Sequence, residues 1–174
     1  MEFAVNASPT RRTALQVELR RLALLAGDLS GRAGAEVEAM AGRLDHDLES
    51  MARHYLFALR DQGLIIEGEA VLLASAANVL KTDPDRQRAA SEIARLCGNL
   101  ASGGEGASLV AIMIATIAIE ASRRAALEPP PARPPLYAVA GSAFGAHYAA
   151  AAGLPGSIAG GIAAAIGASL PVEP

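Results

Sequence analysis

A chain of 174 residues is long enough for one domain and an appendage. Apolar residues make up 52% of it but aromatics only 3%, with no Trp, so its core must be built from Ala, Leu, Ile and Val. The net charge of −3, with both signs interspersed, excludes a nucleic-acid footprint, and the single cysteine, Cys97, excludes an internal disulfide.

Fourteen of the fifteen basic residues are Arg, a bias that fits bacterial-type genomic composition better than phosphate binding. The opening Met1-Glu2-Phe3-Ala4-Val5-Asn6 is acidic and soon followed by Arg11-Arg12, unlike a secretory signal, so cytoplasmic residence is the expectation. Period-2 alternation and Asn-Gly or Asp-Gly turns are lacking, and helical periodicity recurs instead.

Ser8-Pro9-Thr10 predicts the start of a helix that runs to about Ala26 and stops at Gly27. Leu15, Leu19, Leu22 and Ala26 form one apolar stripe on it, and Val17 with Leu24 an opposite one. A second helix is expected over about Ala33–Asp61. Its stripe is Val37, Met40, Leu44, Leu48, Met51, Tyr55 and Leu59, at spacings of three and four.

On that helix, Asp45, His46, Asp47, Glu49 and His54 suggest metal ligands at first sight. Their spacing departs from the Glu-x-x-His pattern of bundle metal sites, and His46 points away from the stripe. Glu49 and Arg53 read as an exposed i,i+4 ion pair.

Gly63 ends the second helix, and a third is expected over about Glu67–Lys81, with Leu72, Ala76, Val79 and Leu80 inward. Thr82-Asp83-Pro84-Asp85 is a strong boundary, with Asp83 as the expected cap, Pro84 at the first helical position and Asp85 suited to the helix dipole. The fourth helix then places Ala89, Ile93, Leu96, Cys97 and Leu100 on one face, which makes Cys97 a core thiol. Gly103-Gly104-Glu105-Gly106 is a flexible connection that lacks the strand and Lys-Ser/Thr pair of a phosphate loop. The fifth helix, about Ser108–Leu127, is apolar all round from Leu109 to Ile119, which predicts the buried centre of a bundle.

Residues 129–135 form a Pro-rich linker between a bundle (1–128) and an uncharged tail (136–174 up to Glu173). Between Leu136 and Leu170 there are 13 Ala and 7 Gly. A break at Gly153-Leu154-Pro155-Gly156-Ser157, with Ser157 as cap, divides the tail into two helical arms packed on the bundle.

Small residues recur at every fourth position of the first arm, Gly141, Gly145, Ala149 and Gly153. In the second arm Ile158, Ile162, Ile166 and Leu170 make an apolar ridge, with Gly160 and Gly161 in neighbouring rows. The expectation is that the isoleucine ridge seats in the small-residue groove. His147, the one histidine within the uncharged arms, is a pH-sensitive candidate.

In composition the tail resembles glycine-zipper segments, and the whole resembles water-soluble helical pore-formers that bury an Ala/Gly-rich hairpin among amphipathic helices. That resemblance implies a membrane-active effector, carries over no functional residue, and adds the inner membrane as a destination, peripherally or by insertion. Each arm falls short of the ~20 residues that span a bilayer.

The expected class is therefore all-α, a bundle of about five helices plus a Gly/Ala-rich hairpin. The expected function is non-enzymatic: close-packing helices used for self-association, including homo-oligomers, or for binding a protein partner. Membrane activity is the first alternative and small-ligand binding the second. No catalytic, metal or cofactor constellation is present in the sequence.

Overall fold

A computed structural model describes residues 48–127 and 134–169. The expected first helix, the start of the second with His46, and the Pro-rich linker up to residue 133 lie outside them. All regular structure among the described residues is helical: α1 (Leu48–Asp61), α2 (Glu67–Thr82), α3 (Arg86–Ala101), α4 (Leu109–Leu127), α5 (Pro135–Tyr148), a 3-10 turn (Ala149–Ala152) and α6 (Gly153–Ser169).

Local chemistry sets the boundaries. Gly63 and Gly103 take positive φ of 74°, which glycine adopts at no steric cost, and each turns the chain out of a helix. The Asp85 carboxylate accepts from the backbone N–H groups of Gln87 and Arg88 at 3.0 and 3.1 Å, so it caps α3. Ahead of it, Asp83 holds Arg88 in a two-pronged pair, and that bond pulls the Asp83 carboxyl below its ordinary range.

Helices α1 to α4 alternate in direction through short connections. Met51, Tyr55 and Leu59 of the predicted stripe are buried on α1, joined by Ala52 and Leu56. Ala89, Ile93, Cys97 and Leu100 are buried on α3. On α2 the inward face centres on Leu73 with Ala70, Ala74, Ala76 and Ala77, while Leu72, Val79 and Leu80 are half-buried at its margin. Of the expected inward residues, Ala76 is fully buried, and Leu72, Val79 and Leu80 pack at the margin because alanines fill the middle of the face and the larger side chains mark its edges.

The centre of the molecule is α5, not α4. Every residue from Ala138 to Ala146 is buried, as is Leu136, with α1, α2, α4 and α6 packed around the helix. Helix α4 buries Val110, Ala111, Met113, Ile114, Ala115 and Ala118, but Leu109 and Thr116 are exposed and Ile112 and Ile119 half-buried. An all-round apolar helix can still face water on one side, whereas a helix with four neighbours needs small side chains on every side. The Ala/Gly composition of α5 meets that requirement.

Helix α5 runs parallel to α1. Ala52 of α1 shares a cluster with Leu136 and Ala140 at one end, with Leu48 against it, Tyr55 meets Phe144 edge-on at 5.2 Å in the middle, and Gln62 reaches His147 at the other end. Helix α6 then returns antiparallel to α5.

Candidate functional site

The α5–α6 pair was the candidate surface, and its interior is a contact between two rows of small residues. A Cβ added at Gly145 would overlap the Gly160 carbonyl oxygen and the Ala164 methyl. One added at Gly141 would lie 2.8 Å from the Ala164 oxygen and 2.8 Å from the Ala168 methyl. The groove therefore receives Gly160, Ala164 and Ala168, not isoleucines, and the two backbones approach as closely as glycine permits. Gly161, about 100° further round α6, faces α4 instead, where an added Cβ would meet the end of Met113 at 2.5 Å.

The chain reverses through the 3-10 turn, in which Ala149 is buried, and through Gly153, exposed with φ at 81°. Helix α6 thus begins four residues before the expected cap. Ser157 lies inside it, fully buried, and its hydroxyl donates to the Ala146 carbonyl of α5 at 2.8 Å. Ser142, also fully buried, donates to Val139 within α5 at 2.8 Å. Both hydroxyls are satisfied inside the pair, as burial demands.

The expected isoleucine ridge points outward. Ile162 and Ile166 are 44% and 56% exposed, and Ile158 is half-buried against the core. The pair's outer face is thus apolar and free of charge, in contrast to α3 and α4. Those helices carry exposed pairs such as Arg95 with Glu92 and Arg123 with Glu120, the latter at 2.7 Å.

His147 sits at the rim of the pair, half-exposed, with its Nδ1 3.0 Å from the Gln62 side-chain oxygen in the α1–α2 turn. Its ring lies 5.4 Å from that of Tyr55. The sequence suggested an interior position because the next charged residue is distant along the chain, but the fold brings the end of α1 alongside.

The remaining candidates have structural roles. Glu49 is buried, paired with Arg53 at 2.8 Å and with Lys81 of α2 at 4.0 Å, so the expected exposed pair also ties two helices together. His54 is exposed beside Ser50, Arg53, Phe57, Ala58 and Asp61, which line a shallow depression on the outer side of α1. Burial pushes the Cys97 thiol up to about 11, so it is protonated at neutral pH and is no nucleophile.

The role of Glu69 rests on a contact far away in the sequence. This buried carboxylate accepts from the Ile66 N–H at 3.0 Å and, across the bundle, from the Ser108 N–H at 2.8 Å, joining the starts of α2 and α4. A Glu three positions into a helix is the available signal, but its second partner is 39 residues away.

Residues Pro135–Ala168 form the one stretch among those described that is long and apolar enough to cross a membrane, and the core of a soluble bundle meets the same test. Comparison with protein-family models, with curated proteins and with solved structures finds no match for this chain.

Proposed function

We propose that this protein is a non-enzymatic helical interaction module whose binding edge is the outer face of α6. The observation that carries the reading is the pair Ile162 and Ile166. They stand outward on an uncharged helix whose small-residue side is already used against α5 and α4. Large side chains are retained on a solvent-facing side although the inner side would seat them only by pushing the helices apart, and exposed apolar rows of this kind mark contact surfaces. Helix α6 can serve as an edge because Gly160, Ala164 and Ala168 hold it to the centre of the fold.

A membrane-spanning role is the weaker reading. The arms have 14 and 17 residues, which at 1.5 Å per residue give about 21 and 25 Å against a ~30 Å hydrocarbon core. Withdrawing α5 would also dismantle the core.

Photocrosslinking in cells tests the proposal, with benzoylphenylalanine placed at Ile162 or, as a control, at the exposed Arg95 of α3. A discrete adduct from position 162 and none from position 95 is expected. Absence of any adduct at position 162 sinks the reading.

A further inference from the structure

We infer that Lys81 is an acylation site, at which loss of the ammonium charge loosens the corner where α1, α2 and α5 meet. Among fifteen basic residues Lys81 is the one lysine, the other fourteen being arginine. An arginine guanidinium stays protonated and is a poor acyl acceptor, whereas a lysine amine is both a charge and a nucleophile. The chain therefore offers one side-chain amine, and a lysine-directed reaction finds a single target on it.

The place of that amine in the fold makes it both reachable and consequential. Lys81 lies in the last turn of α2 with 42% of its side chain exposed, so a dissolved acyl donor reaches Nζ. On its protein side Nζ stands 4.0 Å from Oε2 of Glu49, a carboxylate whose side chain is only 9% exposed. Arg53 holds the other oxygen, Oε1, at 2.8 Å. A buried carboxylate of α1 is thus shared between a cation of its own helix and a cation of α2. Leu48 and Leu80, the sequence neighbours of the pair, both pack on the cluster of Ala52, Ala77, Leu136 and Ala140, where α5 enters the fold.

The reaction takes a small activated acyl donor of the acyl phosphate class. Lys81 first gives one ammonium proton to solvent, and the freed nitrogen lone pair attacks the carbonyl carbon of the donor. A C–N bond forms as the bond between that carbon and the phosphate oxygen breaks. The departing phosphate takes the electron pair of the broken bond and the second nitrogen proton. The product is an uncharged amide. Oε2 of Glu49 then stays buried but faces a neutral group, and a buried carboxylate deprived of one of its cations ties its two helices less firmly.

The test uses the full-length protein, treated with acetyl phosphate and mapped by peptide mass spectrometry. An acetylated side chain is expected at Lys81, and none in Lys81→Arg. Amide hydrogen exchange then reads the effect. In the acetylated protein and in Lys81→Gln, the amides of Ala52, Ala77 and Ala140 should exchange up to ~5-fold faster, the size expected for a partly exposed ion pair. Cys97 on α3 should keep its protection, and Lys81→Arg should match the parent throughout. Unchanged exchange at all three alanines, or a loss that includes Cys97 to the same degree, overturns the inference that this charge controls the corner. Protein isolated from its own cells supplies the other arm. An acyl group on Lys81 in part of the molecules is expected, and an unmodified Lys81 under every growth condition sampled overturns the site itself.

Discussion

At the scale of single residues, the fold depends on what glycine lacks. At Gly145 a methyl group would strike the backbone of Gly160, which can move only if α6 moves. At Gly161 the obstruction is mainly the flexible end of Met113, with the Ser142 oxygen 3.1 Å away. The two substitutions to Ala should therefore separate. Gly145→Ala is expected to cost ~3 kcal/mol, and Gly161→Ala nearer ~1 kcal/mol. Chemical denaturation of both variants checks this, and equal losses would show that the two sides of α6 are equally tight. The sequence marks Gly141 and Gly145 as close-packing residues by their spacing. It leaves their partners open, because Gly160, Ala164 and Ala168 repeat at the same interval as Ile158, Ile162 and Ile166. Period alone names two rows, and only the presence of α4 beside Gly161 decides which one turns inward.

At the scale of elements, helix limits were legible because they are written in local chemistry: Gly63 and Gly103 where φ is positive, and the Asp83–Asp85 boundary. The cap falls on Asp85 and not on Asp83, because the helix starts after Pro84. Tertiary ties were not legible, since they join residues far apart in sequence. Glu69 is the clearest of these. Its two oxygens satisfy N–H groups in two different connections, so Glu69→Ala strands both donors and should cost ~2–3 kcal/mol. Glu69→Gln keeps one acceptor oxygen and should recover part of the loss. Amide hydrogen exchange at Ile66 and Ser108 gives the local readout: in Glu69→Ala both amides should exchange faster than in the parent. Unchanged protection at Ser108 would mean that α2 and α4 are held together without it.

At the scale of the whole molecule, the tail cannot be treated as an appendage. Its first helix has α1, α2, α4 and α6 as neighbours, so α5 is a shared part of the core that the apolar faces of α1, α2 and α4 close upon. A chain ending before residue 135 should keep helical content but lose cooperative unfolding and bind a hydrophobic dye, the behaviour of a compact state without fixed packing. Circular dichroism with thermal melting checks this. A sharp transition in the shortened chain would show that α1–α4 pack without α5. The sequence pointed to α4 as the centre because its Ile-rich run is the more hydrophobic of the two. Burial by four neighbours depends instead on slenderness, and there Ala and Gly outrank Ile.

The central position of α5 also sets an order of events. A ribosome makes the helices that surround it first, at ~5–20 residues per second, and the helix that they enclose afterwards. Until α5 is complete, Leu56, Leu73 and Ile114 lack Val139, Ala143 and Phe144, which share their core cluster. Each newly made molecule thus passes through an interval with an open slot in its middle. During that interval, chaperones and neighbouring chains have access to surfaces that the finished protein never shows.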